Sequence, residues 1–122
     1  MTETIASGLA TRIGRFYPLI VPWIGAIGAY MTGSNTNSNV IFANLQLQTG
    51  SLLGYSAAII LAGQTAGAAL ASVIAPSKVV VGTSTAQMAG QEGFITRKMA
   101  GYITALLLLI CLLVVAGLAL TG

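Results

Sequence analysis

Residues Arg97–Leu120 read RKMAGYITALLLLICLLVVAGLAL. Two adjacent cations open the stretch, and no charged residue follows Lys98 to the end of the chain. As a helix, the 22 residues Met99–Leu120 extend ~33 Å, enough to cross the ~30 Å hydrocarbon core of a bilayer. Arg97 and Lys98 stand where the ends of such segments meet the headgroup region.

The rest of the chain agrees with this reading. Only seven of 122 side chains are charged: Glu3, Arg12, Arg15, Lys78, Glu92, Arg97 and Lys98. Charged residues make up 6% of the chain, where a soluble domain carries roughly 25%. Hydrophobic residues make up 56%, and the mean hydropathy is +0.90. From Phe16 to Ser77 there are 62 successive residues without a formal charge. A soluble fold could not cover its surface with so few charges and would expose large apolar patches. The expected class is an all-α, polytopic integral membrane protein whose solvent is the lipid bilayer.

Several functional classes fall away. Five basic residues spread over three segments make neither a basic stripe nor a stacking platform for nucleic acid. There is no His and no Asp, a single Cys, and two distant glutamates. That leaves no catalytic triad, no carboxylate pair and no metal set, so neither an enzyme nor a bound cofactor is expected. Cys111 lies within an apolar run and reads as a small buried side chain.

Working back from residue 97, the segments are unequal. Residues 1–15 read as a short amphipathic lead-in, not a cleaved signal sequence. Residues 16–49 read as a helical hairpin. Its first arm, Phe16–Gly33, is ~27 Å long; its second apolar run, Val40–Thr49, is only ~15 Å. Between them lies Ser34-Asn35-Thr36-Asn37-Ser38-Asn39, six small hydrogen-bonding residues without charge. Residues 52–90 read as a helix broken at Pro76, and residues 99–120 as the closing transmembrane helix. Gly54, Ala58, Ala62 and Ala66 recur every fourth residue, as do Gly63, Gly67, Ala71 and Ala75. Small residues at that spacing let helices approach closely in lipid. These two faces read as prepared for helices that the chain does not itself contain. Tyr17, Trp23 and Tyr30 fit interfacial anchors.

Two topologies are open. In one, Phe16–Gly33 spans and Val40–Thr49 lies in the interface, so that Arg12, Arg15, Lys78, Arg97 and Lys98 share one side. In the other, residues 16–49 form a hairpin whose polar tip reaches mid-membrane. The hairpin is preferred because it accounts for the short second run. Irregular backbone at that depth survives only where protein buries it or a cavity lies beside it.

Asn37 or Ser38 is the expected N-cap of the second arm. A helix N-terminus is positive by its dipole, and with neutral donors beside it the tip suits an anion such as a carboxylate. The rival reading is an ordinary exposed loop. Pro76-Ser77-Lys78 opens a second half-helix in the same way, with Lys78 either adding charge or snorkelling to the interface. Gln64 and Thr65 can bond a substrate hydroxyl or join helices. Thr83, Ser84 and Thr85 read as hydroxyls that satisfy nearby backbone. Glu92, between Gln91 and Gly93, reads as a turn residue, with proton carriage as the alternative role.

Three stretches together resemble the lactate permease family of bacteria. Gly33-Ser34-Asn35-Thr36-Asn37-Ser38-Asn39 is similar to that family's Gly-Ser-Asn/Asp-Thr-x-Ser-Asn signature. Gln64-Thr65-Ala66-Gly67 through Ile74-Ala75-Pro76-Ser77-Lys78-Val79 is similar to its second block, and Gly90-Gln91-Glu92-Gly93 to its third. The resemblance implies import of L-lactate, D-lactate or glycolate, with protons, across the bacterial inner membrane. A more distant resemblance to the wider ion-transporter superfamily, in which a Ser-Asn-Thr hairpin tip helps bind a carboxylate, implies substrate contact first at Ser34, Asn35 and Thr36. Asn37, Ser38, Asn39, Gln64, Thr65, Ser77 and Lys78 are further candidates, and Glu92 is the candidate for proton coupling. Family members are several times longer, so the resemblance also implies a partner: the missing N-terminal portion, with its companion hairpin. The rival expectation is a small, non-transporting membrane subunit that stabilises another membrane protein.

Overall fold

The computed structural model describes residues 2–121; Met1 of the expected lead-in and the final Gly122 lie outside it. The described residues form helices joined by short turns, with no strand among them. They are α1 (Thr2–Ile13), a single 3-10 turn at Gly14–Phe16, α2 (Tyr17–Thr32), α3 (Asn35–Leu52), α4 (Ala57–Ser72), α5 (Pro76–Thr85) and α6 (Glu92–Thr121). Among the described residues two stretches are long and apolar enough to cross a membrane: α6, and α4 with α5 taken together as Ala57–Thr85.

The centre of the bundle is the crossing of α2 and α4, the largest interface between any two helices. It closes because both helices carry glycine at the crossing. A Cβ on Gly25 would overlap the backbone carbonyl of Gln64, and a Cβ on Gly67 would overlap that of Pro22. A Cβ on Gly63 would fall 2.7 Å from Val114 and 3.1 Å from Val21. The face carrying Gly63, Gly67 and Ala71 therefore meets the chain's own α2 and α6, contrary to the expectation that it awaits a foreign helix. Ala58, Ala62 and Ala66 line a shallow apolar groove, together with Gly63 and beside Leu113 of α6.

Helix α3 packs on both α2 and α4, and α1 lies along α3. Helix α6 closes the bundle with one stripe: Ile103, Leu107, Cys111, Val114 and Leu118 are buried. Its other faces expose Leu108, Leu109, Leu112 and Leu113. In water these would aggregate; in a bilayer they are the solvated surface. Thirty residues make α6 ~45 Å long, so its first turns, through Lys98, extend beyond the apolar stretch.

The second hairpin arm differs from expectation. Val40–Thr49 is the middle of an 18-residue helix that begins at Asn35. The run Asn35–Asn39 is its first turns and not a loop. Helix α4 ends at Ser72, three residues bridge the gap, and Pro76 stands in the first turn of α5. Proline there loses nothing, since the first N–H groups of a helix have no intrahelical partner. Gly54 sits at φ +75° in the α3–α4 connection and is not part of the four-residue series on α4.

Candidate functional site

The reversal between α2 and α3 takes two residues. Gly33 adopts φ +72° and its N–H bonds the Ala29 carbonyl at 2.7 Å, which caps α2. This left-handed conformation is open to glycine without steric cost. Ser34 is extended, and its Oγ accepts from the Asn37 N–H at 3.1 Å. Ser34 is therefore the N-cap, and the expected Asn37 or Ser38 is not. Local preference cannot separate these residues, because each carries a short oxygen acceptor. The position of the glycine cap decides.

No partner among the described residues takes the Asn35 and Thr36 backbone N–H groups. Helix α5 starts close by: a Cβ on Gly33 would stand 3.0 Å from Ser77 Oγ. Ala75 offers no side-chain cap to α5; the Lys78 and Val79 N–H groups turn back to its carbonyl, and the Ser77 N–H has no partner among the described residues. Two helix N-termini thus adjoin, each positive by its dipole. The Asn37 and Thr36 side chains are exposed. Lys78 is exposed too, on the second turn-forming residue after Pro76.

Behind the tip runs a buried chain of side chains. The Tyr17 hydroxyl donates to Gln46 Oε1. Gln46 Nε2 donates to Gln64 Oε1 at 2.7 Å and to the Val21 carbonyl at 3.2 Å. Gln64 Nε2 donates to Ser38 Oγ at 3.1 Å and to Asn39 Oδ1 at 3.4 Å. Ser38 Oγ donates to the Gly25 carbonyl at 2.8 Å. Asn39 Nδ2 faces Thr65 Oγ1 at 3.2 Å and Asn35 Oδ1 at 3.4 Å. Tyr17, Gln46, Gln64 and Ser38 are all 0% exposed, so every polar atom must find its partner inside the bundle.

The structure thus joins Asn35, Ser38, Asn39, Gln64 and Thr65 in one network. Ser34 caps the helix on the Asn37 N–H, the Thr36 and Asn37 side chains take no part, and Ser77 stands against Gly33. Gln64 is occupied by protein groups at both ends of its amide, and Ser38 spends its proton on Gly25. Tyr17 is no interfacial anchor but the inner end of this network. Gln46 is one of three amide residues, with Asn44 and Gln48, on the run Val40–Thr49; its burial between α2 and α4 leaves no trace in spacing. Trp23 is half-buried on the cluster of Ala26, Ala71, Ile74, Ile103 and Leu107.

Glu92 forms no hydrogen bond with residues 34–39 among those described. It opens α6 and ties the α5–α6 turn: its Oε1 accepts from Thr83 Oγ1 and from the Gly90 N–H, each at 3.1 Å. Glu92 lies before the apolar part of α6. Its own backbone N–H, that of Gly90 and the Thr83 hydroxyl stabilise the ionised form and hold the carboxyl below its ordinary range. The Thr83 hydroxyl shares its one proton between Glu92 Oε1 and the Val79 carbonyl at 3.0 Å, and Thr85 donates to the Val81 carbonyl one turn back, as expected of helical hydroxyls. Among the described residues there is no cluster able to hold a metal ion.

The sequence profile of the L-lactate permease family matches residues 1–121. An L-lactate permease of Halalkalibacterium halodurans is 31% identical over 110 residues, covering 90% of this chain and 21% of that protein. A putative L-lactate permease of Haemophilus influenzae is 34% identical over 98 residues, covering 80% and 18%. The glycolate permease GlcA of Escherichia coli is 32% identical over 97 residues, covering 80% and 17%. The chain therefore spans about a fifth of the length of the curated relatives it matches. No solved structure matches it significantly.

Proposed function

The chain belongs to the L-lactate permease family, and from that premise we propose that it forms part of a transporter for lactate, glycolate and related 2-hydroxymonocarboxylates in a bacterial inner membrane. The observation that carries the reading is the α2–α3 tip, with the free N–H groups of Asn35 and Thr36 beside the start of α5. A carboxylate needs donors and a positive field, and helix N-termini supply both without a counter-charge buried in lipid. Ser34, Asn35, Thr36 and Asn37 are the substrate-facing residues of this proposal, with Ser77 and Lys78 on the neighbouring helix. Ser38, Asn39, Gln64 and Thr65 support the tip from behind. Family membership favours a transporter over an enzyme.

The hairpin topology, with its tip at membrane depth, is part of this proposal, as is a partner that contributes the remainder of the site. A substrate site of a repeat-built carrier lies between two halves, and one tip offers one wall. Proton coupling through Glu92 gains no support from its position, since its carboxylate is engaged at the α5–α6 turn.

The test is uptake of labelled lactate by cells that make this chain with and without the remainder of the permease. Uptake is expected only with both. In that assembly Asn35→Ala removes a hydrogen bond to a charged group, which is worth about 1.5–3 kcal/mol, so KM rises about tenfold or more at unchanged expression. An unaltered KM would remove Asn35 from the site. Saturable uptake by the chain alone would replace the two-part carrier with a homo-oligomeric one.

Lys78 separates two roles. Lys78→Met keeps the apolar stem and removes the ammonium. If the charge acts on substrate, Lys78→Met raises KM and Lys78→Arg preserves much of the affinity. Normal kinetics in Lys78→Met would assign the lysine to the headgroup region and leave the anion to helix termini and neutral donors.

A further inference from the structure

We propose that the buried chain Tyr17–Gln46–Gln64–Asn39 is a polarity lock that turns the Asn35 amide so that its NH2 group, and not its carbonyl, faces outward at the tip. Gln64 is then the principal positioning residue of the site, held in turn by Gln46 and Tyr17. The ligand class, an acceptor-only group such as a carboxylate, rests on the function proposed above. The orientation itself does not.

The direction of the chain has two independent anchors. A backbone carbonyl can only accept, so the Val21 carbonyl obliges Gln46 to present Nε2 to it at 3.2 Å. That leaves Gln46 Oε1 for the Tyr17 hydroxyl and gives the second Nε2 proton to Gln64 Oε1. The other anchor is Ser38, whose single hydroxyl proton goes to the Gly25 carbonyl at 2.8 Å. Toward Gln64, Ser38 Oγ can therefore only accept, which obliges Gln64 to present Nε2. Both anchors demand the same orientation of Gln64. Its remaining proton lies between Asn39 Oδ1 at 3.4 Å and the Ser38 carbonyl at 3.5 Å, and the shorter contact has Asn39 present Nδ2 to Asn35 Oδ1 at 3.4 Å.

The consequence at the tip follows from donor counting. The Asn35 carbonyl is occupied, and no group among the described residues accepts from its Nδ2. Rotating that amide by half a turn would set two NH2 groups against each other. The tip is thereby biased toward ligands that bring acceptors, and against neutral ones that bring their own N–H. An amide carries no mobile proton, so the same chain is not a proton path. Two glutamines at 0% exposure are dear to maintain in lipid surroundings, and setting a distant amide gives them a use beyond helix contact.

One arm of the test needs no transport. The full chain in lipid nanodiscs, carrying labelled asparagine side-chain amides, should show slowly exchanging NH2 protons at Asn39 and freely exchanging ones at Asn35. Gln64→Met should release Asn39. Gln46→Met/Gln64→Met repeats the release without leaving the Gln46 amide orphaned, in case the single variant folds poorly. Protected NH2 protons at Asn35 in the wild type would overturn the proposal, as would unchanged Asn39 exchange in both folded variants. The second arm compares lactate with lactamide, its neutral amide, in the assembled permease. Releasing the lock should shrink the ratio of lactamide inhibition constant to lactate KM about tenfold, the worth of one hydrogen bond to a charged group. A merely structural role would lower the amount of active protein and leave that ratio unchanged, and such a result overturns the positioning role. If the exchange pattern holds while the assembled wild type ignores lactate, the orientation stands and the proposed substrate falls.

Discussion

Gly67→Ala is expected to prevent α2 and α4 from closing. The added methyl would overlap the Pro22 backbone carbonyl, and no side chain can rotate away to admit it. The helices must separate, which opens voids on both sides of the crossing and stretches the chain from Tyr17 to Asn39. Overpacking of this kind costs about 1–3 kcal/mol where side chains can adjust, and more where the obstacle is backbone. Gly25→Ala meets the Gln64 carbonyl in the same way and should behave alike. Gly101→Ala is the matched control. It lies inside α6 with nothing within 4 Å of its Cβ, so only helix propensity changes, by about 0.8–1 kcal/mol in favour of alanine. The measurement is the thermal midpoint in nanodiscs, followed by helical circular dichroism. Equal midpoints for Gly67→Ala and wild type would mean that α2 and α4 do not cross as closely as described.

Gln64→Leu is the second large effect. It removes the acceptor of one Gln46 N–H and the donor to Ser38 and Asn39 in a single step. Each buried group left without a partner costs about 1–3 kcal/mol, so a total of roughly 2–5 kcal/mol is expected. Replacing several partners together should cost less than the sum. Tyr17→Phe/Gln46→Leu/Gln64→Leu removes the Tyr17 hydroxyl and both glutamine amides together, leaves only Ser38 and Asn39 short of the Gln64 donor, and should recover part of the loss. Members of one network are not additive, and a double-mutant cycle measures by how much. Strict additivity of the single variants would show that Gln46 and Gln64 are not bonded to each other.

These effects divide according to what a sequence can express. Membrane class was legible because it depends on a sum: seven charges in 122 residues cannot clothe a soluble fold, wherever they fall. Helix α6 was legible from an unbroken apolar run, and the interruption at Pro76 from a covalent ring that removes a donor. The hydroxyls of Thr83 and Thr85 bond carbonyls one turn away, and such local geometry follows from spacing alone. The conspicuous polar tip was legible as a stretch, and its resemblance to a family signature named the residues.

Three features needed the tertiary structure. In lipid, helix faces toward protein and toward solvent are equally apolar, so periodicity could not tell that Gly63 and Gly67 meet the chain's own helices. Ser34, Asn37 and Ser38 cap equally well by type, and only the left-handed turn at Gly33 singles out Ser34. The partners of Gln46 and Gln64 lie 18 or more residues away, and they meet only when the registers of α2, α3 and α4 are set together. Those registers follow from the glycine contacts at the α2–α4 crossing, where backbone meets backbone. A one-dimensional pattern records that glycine is present, while which carbonyl occupies the space it leaves is a property of the packed bundle.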